Sequence, residues 1–295
     1  MTRLTVDQKK ELLRLLSRPM RYGELRLCLS DYMKHTAYRR MDSFEDALKR
    51  NDVLVSFDMK AENGRTATLY CSTSPAEISA YDAAAGLCRN GYFCNMTSVY
   101  FHGLTNQVPK SVYVATEGLG AKYEQVRKRQ LTDHDIFSSF VKAHRQTKNA
   151  YKFRDHVILV TERINRGDPG VERVAADDRV CPKGSRVTSL ERALIDAVVH
   201  PHYNGGIGSV VEFYQTGARR MNPPKLLKVY KALDFKYPYW QAIGFLCDRV
   251  GADRAVGALA DSFKARNQFY LDHLAKDSWK FDPKWQIHYP KGILE

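Results

Sequence analysis

The sequence has few cysteines and no long apolar run. None of its cysteines is paired in a CxxC spacing, which argues against a zinc site and against a disulfide framework. No apolar stretch approaches the ~18 residues that a membrane-spanning helix needs. The charged N-terminus lacks the apolar segment of a signal peptide, and neither internal repeats nor low-complexity segments are found. We therefore expect a cytoplasmic protein without a membrane partner.

Acidic residues are outnumbered by basic ones. The chain of 295 residues carries 46 Lys/Arg against 33 Asp/Glu, a net charge of +13, which favours a polyanionic partner. The excess is spread out, because residues 1–66 hold 14 Lys/Arg against 10 Asp/Glu and the remaining 229 hold 32 against 23. Charge alone therefore does not locate a binding site.

Three helices are expected in the first fifty residues. The first spans 5–17 and has Thr5 as its N-cap, and the second spans about 22–29. The third has apolar residues spaced by 4, 3 and 4, which places them on one face. These residues are Ala37, Met41, Phe44 and Leu48.

A β-hairpin is expected after the third helix. Val53, Val55 and Phe57 alternate with other residues as in a half-buried strand, residues 62–65 (ENGR) are typical of a turn, and 67–71 is the returning strand. Three helices and a hairpin form the order of a winged helix-turn-helix, whose third helix enters the major groove of DNA. The hairpin tip, or wing, then contacts the backbone or the minor groove.

Basic and polar side chains of this segment are the candidate DNA contacts. Arg39 and Arg40 lie outside the apolar face of the third helix. A guanidinium group can donate to both the O6 and N7 acceptors of guanine, so these two arginines are the leading candidates for base or phosphate contacts. Residues at or before the helix start lie where the helix dipole favours phosphate. The expected contacts are Arg21, Lys34, His35, Tyr38, Arg39, Arg40, Ser43, Arg50, Lys60 and Arg65. Arg21, at the start of the second helix, and the wing residues Lys60 and Arg65 are assigned to phosphate.

A Ser/Thr/Pro cluster at 71–75 marks a domain boundary. The expected fold class is α+β, with a winged helix-turn-helix of residues 1–72 and a mixed α/β domain of residues 73–295 whose C-terminal half is helical. Strands are expected at 111–116 and 156–161, and the basic stretch between them is a solvated surface or a face for an acidic partner.

The second domain contains residues typical of helix starts. Thr188 and Glu191 are placed as the N-cap and third residue of a capping box, and Asn222 precedes a Pro-Pro helix start. In the tail, Trp285, Ile287 and Tyr289 alternate as in a short strand.

Two separated segments resemble the AbiEi-type antitoxin family. Residues 97–116 (TSVYFHGLTNQVPKSVYVAT) are similar to its HGLT motif, and 187–206 (VTSLERALIDAVVHPHYNGG) to its ERT–D–P–GG motif, while the tail FDPKWQIHYP resembles its closing motif. The family-type positions are His102, Gly103, Leu104, Thr105, Pro109, Glu191, Arg192, Asp196, Pro201, Gly205 and Gly206. The chain departs from the second motif at Ala193, where the family usually has Thr, and about 122–156 match nothing.

The resemblance implies an antitoxin of a type IV toxin–antitoxin pair. Such a protein binds inverted repeats in the duplex DNA of its own promoter through the N-terminal domain. It neutralises an AbiEii-type nucleotidyltransferase toxin, directly or indirectly, through the C-terminal domain. Structural roles are favoured for the motif residues: Gly103 ends a helix, Gly205 and Gly206 form a turn, and Arg192 and Asp196 pair at a spacing of four.

Enzymatic alternatives lack parts of their sites. Gly208-Ser209 is followed by the single carboxylate Glu212 where a nucleotidyltransferase needs two, and after Glu162 the lysine position of a nuclease holds Ile164. We therefore expect a non-enzyme without cofactor or metal. Two alternatives stay open: a DNA-binding regulator or phage-defence accessory protein without a toxin, and a nuclease or transferase with a scattered metal site.

Overall fold

The computed structural model describes residues 4–118, 130–174, 181–276 and 278–293. Its helices are α1 (Val6–Leu15), α2 (Tyr22–Met33), α3 (Met41–Arg50), α4 (Ala80–Leu87), α5 (Asn95–Phe101), α6 (Asp133–Phe140), α7 (Leu190–Val199), α8 (Ile207–Gly217), α9 (Pro223–Leu233), α10 (Tyr239–Arg249) and α11 (Asp253–Ser262). Its strands are β1 (Met20–Arg21), β2 (Val55–Ala61), β3 (Thr66–Cys71), β4 (Tyr92–Phe93), β5 (Ser111–Gly118), β6 (Ala150–Phe153), β7 (His156–Ile164), β8 (Val171–Arg173), β9 (Arg186–Thr188), β10 (Phe269–Tyr270), β11 (Lys280–Asp282) and β12 (Ile287–Tyr289). The expected α+β class is confirmed.

The N-terminal elements follow the order α1-β1-α2-α3-β2-β3, and β1 is antiparallel to β3. Thr5 caps α1 as expected, because its hydroxyl accepts the N–H of Gln8 and the Gln8 side chain accepts the N–H of Thr5. Leucines of α1 and α2 meet Phe44 and Leu48 of α3 in one apolar core. The hairpin turn lies at 62–65 as expected, with Gly64 at a φ of +80°.

The start of α3 was predicted four residues too early. The helix begins at Met41, and Ala37 is exposed. Thr36 competes locally for backbone groups, because its hydroxyl donates to the Met33 carbonyl and accepts the Tyr38 N–H. The Tyr38 ring packs against Phe44, with ring centroids 5.1 Å apart, and so takes the place in the core that the spacing had given to Ala37.

One nine-stranded sheet joins the hairpin to the rest of the chain, in the order β1-β3-β2-β6-β7-β5-β4-β9-β8. The junction is antiparallel pairing of Lys60 and Ala61 in β2 with Lys152 and Tyr151 in β6. Met59 and Leu69 of the hairpin share an apolar core with α4 and with residues of β5 and β7. The hairpin therefore packs against elements that follow residue 72 in the sequence. The predicted domain boundary at that residue stays a prediction.

The predicted strands at 111–116 and 156–161 are confirmed as β5 and β7, which pair in parallel. The second part of the basic stretch between them, from 130 to 154, contains α6 and β6. The first part of the stretch, from 122 to 129, lies outside the described residues.

The C-terminal half is helical, with a core of α7 to α11 closed by Trp285 and Ile287. The predicted tail strand is confirmed as β12, which pairs with β10 and β11. A Cβ on Gly244 of α10 would lie 2.0 Å from the Trp285 ring, so only glycine allows this close approach.

The capping box predicted at 188–191 is not formed, because α7 begins one residue later than predicted and its third residue is Arg192. Ser189 is the N-cap of α7, with its hydroxyl accepting the Arg192 N–H, whereas Thr188 belongs to β9. The other predicted cap is confirmed, because the Asn222 side chain accepts the N–H of Lys225 at the start of α9. Among the helices described, none combines the length and apolar character needed to cross a membrane.

Candidate nucleic-acid interface

The linker between α2 and α3 presents a run of exposed cationic and histidine side chains. Lys34, His35, Arg39 and Arg40 are all exposed, and the sequence from 34 to 40 contains no carboxylate. Lys34 pairs with Asp31 at 2.9 Å, and Arg40 lies 4.0 Å from Asp42. Both ion pairs are open to solvent, so the cations stay available to a polyanion.

Arg40 also marks the start of α3. It is the N-cap residue, with extended backbone angles, and its side chain makes no capping hydrogen bond. Arg39 and Arg40 were predicted on the helix; they precede it instead. A phosphate approaching this end would meet both guanidinium groups and the free N–H groups of the first helical turn.

Tyr38 was predicted as a DNA contact and is buried instead. Only 8% of the residue is exposed, because its ring fills the core beside Phe44. Its side chain therefore contributes to the folding of the linker, and the neighbouring arginines present the polar surface.

The exposed face of α3 carries both charges. Ser43 and Arg50 are exposed as expected, and so are Asp42, Asp46 and Lys49. The Arg50 Nε donates to the Asp46 carbonyl at 3.2 Å. Arg40 therefore precedes the helix and Lys49 and Arg50 lie in its last turn, whereas Asp42 lies in the first turn and Asp46 in the middle.

The β2–β3 hairpin pairs with β6. Lys60 and Arg65 are exposed beside the tip, and the Glu62 N–H donates to the Ala150 carbonyl at 3.2 Å. The pairing of β2 with β6 places the exposed Lys152 directly opposite Lys60. Two like charges at opposed positions repel each other, and a phosphate between them would relieve the repulsion. Lys152 was not among the predicted DNA contacts, because its pairing with the hairpin is non-local.

Arg21 was predicted to contact phosphate, but its side chain is directed towards α4. It lies in β1 and is half-buried, with its Nε donating to the Leu87 carbonyl of α4 at 3.4 Å. The short β1 strand, absent from the prediction, turns this side chain away from the start of α2.

A second basic surface lies between the N-terminal helices α1 and α2 on one side and α4, β4, β8 and β9 on the other. This arginine groove has a volume of about 750 Å³ and two carboxylates, Glu24 and Asp82, in its lining. Its arginines are Arg14, Arg18, Arg89, Arg173 and Arg186. Arg89 lies 3.8 Å from Glu24, and Arg186 donates to the Asn90 carbonyl at 2.6 Å and to Asp168. No local pattern in the sequence predicts the groove, since its five arginines come from four separate segments, around residues 14–18, 89, 173 and 186.

Arg192 and Asp196, from the second motif, form the centre of a buried ion network. Asp196 Oδ1 accepts from Arg192 Nε at 2.9 Å and from Arg163 Nη1 of β7 at 3.1 Å. The exposed fractions of the Arg192 and Asp196 side chains are 1% and 0%. Burial is the largest single effect and opposes the charge of Arg163, but Asp196, Cys94 and Tyr92 together outweigh it, so the pKa of Arg163 is raised.

Glu191 ties α7 to α9. It accepts the Asn222 N–H at 3.0 Å and the Ser189 hydroxyl at 3.0 Å, and it pairs with Lys225 at 3.0 Å. Burial would raise the pKa of Glu191, and these hydrogen bonds lower it below its ordinary value. The carboxylate therefore joins two helix N-termini.

The remaining motif residues have backbone roles. His102 Nε2 lies 2.7 Å from the Thr188 carbonyl, and burial lowers the pKa of this ring. Gly103 ends α5 at a φ of +62°, and Gly205 and Gly206 turn into α8 at +80° and +88°. Pro109 is buried just before β5. These contacts agree with the structural roles that sequence analysis favours.

Three histidines from separate loops, after α6, α7 and β10, pack ring against ring. The His144 ring lies 4.1 Å from His202 and 3.9 Å from His273 between centroids, and its Nε2 lies 2.8 Å from Asp272 Oδ1. Burial, with His144 and His273 adding to it, lowers the pKa of His202 to about 4. In the part of the chain that the structure describes, no group of three His, Cys, Asp or Glu residues could hold a metal ion.

Comparison with known proteins gives a fold likeness. No family model and no curated protein matches this sequence. Among solved structures, the crystal structure of the RV2827C protein from Mycobacterium tuberculosis aligns with 98% of this chain and 93% of its own, at 13% identity and a TM-score of 0.50. At this identity the likeness concerns the fold alone.

Proposed function

We propose that the first 72 residues form a winged helix-turn-helix that binds duplex promoter DNA. In this proposal the protein represses its own operon and neutralises an AbiEii-type nucleotidyltransferase toxin. The observation that carries the DNA-binding part is the exposed run Lys34, His35, Arg39 and Arg40, free of carboxylates, at the start of α3.

The order of the N-terminal elements supports this reading. The third helix of the unit is the one that enters the major groove in a helix-turn-helix. Arg39 and Arg40 stand where the helix N-terminus meets the DNA, and Lys60, Arg65 and the additional Lys152 lie on the wing side. The antitoxin part rests on the resemblance of residues 97–116 and 187–206 to the AbiEi family.

Replacing Arg39 and Arg40 together with Ala should weaken binding to the protein's own promoter roughly tenfold or more, since one good bidentate base contact contributes ~1–3 kcal/mol. Both side chains are exposed, so the fold should be unaffected. Fluorescence anisotropy with a labelled promoter fragment measures the loss. The matched control, Arg219→Ala with Arg254→Ala, removes the same charge from exposed positions of the C-terminal half and should bind like the wild type. Unchanged promoter affinity in the Arg39/Arg40 variant would refute this placement.

Co-expression with the neighbouring toxin tests the division of labour. The full chain should rescue growth, and the Arg39→Ala/Arg40→Ala variant should still rescue while losing repression of a promoter reporter. Point variants are preferable to a cut after residue 72, because a cut would remove β2 from its pairing with β6. Failure of the full chain to rescue, with promoter binding intact, would favour a regulator or phage-defence accessory protein without a toxin.

A further inference from the structure

A cleft in the C-terminal half combines an aromatic floor with a cationic rim. It has a volume of about 570 Å³, within the range of small-ligand sites, and is formed by α9, α10 and the residues that follow α9 and α11. We name it the aromatic cleft. Its aromatic residues are Tyr230, Phe235, Tyr237, Trp240 and Phe263, and its cations are Lys231, Lys236, Lys264 and Arg266.

The floor presents prearranged flat rings. Trp240 is buried and stacks on the half-buried Phe263, with centroids 5.4 Å apart and an angle of 19° between the planes. Tyr230 holds this pair in place, because its hydroxyl accepts the Trp240 N–H at 2.9 Å. Phe235 and Tyr237 are half-buried at the side of the cleft. The ring of Phe263 is therefore held by Trp240 and Tyr230, and the residue is half-buried.

The rim is positively charged. All four cations are exposed, and the Lys231 Nζ lies 5.8 Å from the centroid of the Phe263 ring. Asp234 is the acidic residue of the lining, and Arg166 lies 3.9 Å from it. An anionic group at the rim would therefore meet a net positive field directly above the aromatic floor.

The buried amide of Gln241 lies in the wall of the cleft. The Gln241 Nε2 donates to the carbonyls of Asn267, Trp285 and Gln286 at 2.8–3.2 Å, which fixes the amide. Its Oε1 is buried and has no hydrogen-bond partner among the described residues. These contacts fix the Gln241 side chain in the wall of the cleft.

We infer that the aromatic cleft binds single-stranded nucleic acid, with a base stacked among its aromatic rings at Phe263 and its phosphates on the rim lysines and arginine. Rings that stack bases beneath cations that hold the backbone are the two components of single-strand binding sites. An acidic peptide would contact the rim cations but would leave the aromatic rings of the floor without a stacking partner. The site is separate from the N-terminal surface proposed for duplex DNA.

Anisotropy with fluorescein-labelled dT12, rU12 and a duplex of equal length tests the inference on the full chain. Phe263→Leu keeps apolar volume and removes the flat ring, so affinity for both single strands should fall about fivefold or more. Phe263→Tyr keeps the ring and should retain binding. The two single strands distinguish DNA from RNA as the ligand.

The rim is tested by Lys236→Ala, Lys264→Ala and Arg266→Ala together. Because each single-strand phosphate contributes about 0.7 to the slope of log affinity against log salt, the slope should become shallower by about two. The matched control, Arg219→Ala, Lys228→Ala and Arg254→Ala, removes three exposed cations outside the cleft and should leave the slope unchanged. This rim variant keeps the test valid even if Phe263→Leu perturbs folding.

Three outcomes would overturn the inference. The first is wild-type single-strand affinity in both the Phe263→Leu and the rim variants. The second is loss of single-strand binding in Arg39→Ala/Arg40→Ala, which would place it on the N-terminal surface. The third is displacement of dT12 by polyglutamate of equal charge as effectively as by unlabelled dT12, which would make the cleft a site for acidic peptides. Promoter binding by the rim variant measures the proposed repressor function separately.

Discussion

Asp196→Asn should lower the free energy of unfolding by about 3–5 kcal/mol, the usual result of removing one partner from a buried ion pair. Asp196 is the carboxylate that contacts both Arg192 and Arg163, so the substitution leaves two buried guanidinium groups without the opposing charge. Urea unfolding at pH 7, followed by circular dichroism, measures the difference.

Asp42→Asn provides the matched control. It makes the same chemical change next to Arg40, where both side chains are about four-fifths exposed, and should change stability by less than about 1 kcal/mol. Equal effects of the two substitutions would show that the Asp196 network contributes no more than a surface pair.

This network illustrates what sequence spacing can and cannot give. The i,i+4 spacing of Arg192 and Asp196 predicts their pairing, which the structure confirms. Spacing carries no information on burial or on Arg163, which reaches Asp196 from β7 across 33 residues of sequence. A pair that would contribute a few tenths of a kcal/mol on a surface becomes the centre of a buried network.

Local signals were reliable elsewhere as well. Thr5 and Asn222 cap the helices that they were expected to cap, and the turn at 62–65 and the stop at Gly103 are where they were predicted. Each depends on backbone hydrogen bonds or φ values within a few residues. Two misplacements arose locally, before α3 and before α7, where the Thr36 and Ser189 hydroxyls make the backbone hydrogen bonds. The burial of Tyr38 depends instead on the packing of its ring in the N-terminal core.

The same limit applies to the candidate sites. Lys34, His35, Arg39 and Arg40 are neighbours in sequence, so the linker could be identified as a basic segment. The pairing of Lys60 with Lys152, the arginine groove and the aromatic cleft depend on segments tens of residues apart. A single sequence carries no pattern that brings such segments together.

Acidification from pH 7 to pH 5 should destabilise the protein, and the stacked histidines should account for a measurable share of the loss. Burial lowers the pKa of His202 to about 4, that of His273 below its ordinary value, and that of His200 well below it. An unfolded histidine titrates near pH 6.5. Below that pH the unfolded chain therefore binds protons that the folded chain does not, so stability falls between about pH 6.5 and pH 4.

His202→Phe isolates this contribution. Phenylalanine keeps a ring against His144 and Tyr203 and removes the titrating group. Between pH 7 and pH 5 the variant should lose about 1–2 kcal/mol less stability than the wild type, a figure reduced for the partial exposure of the ring. Urea unfolding at the two pH values measures the difference, and the common titration of the carboxylates cancels in the comparison.

The surroundings of His202 determine how sharp this test is. Asp272 favours the protonated form, whereas His144 and His273 oppose it, and desolvation has the largest effect of all. A hydrogen bond with the Arg145 backbone also favours the protonated form, but desolvation is the larger effect. The exposed His35 serves as the control, and His35→Phe should lose as much stability on acidification as the wild type. An equal loss in His202→Phe would mean that the imidazole stack takes up protons without cost to the fold and that acid unfolding begins elsewhere.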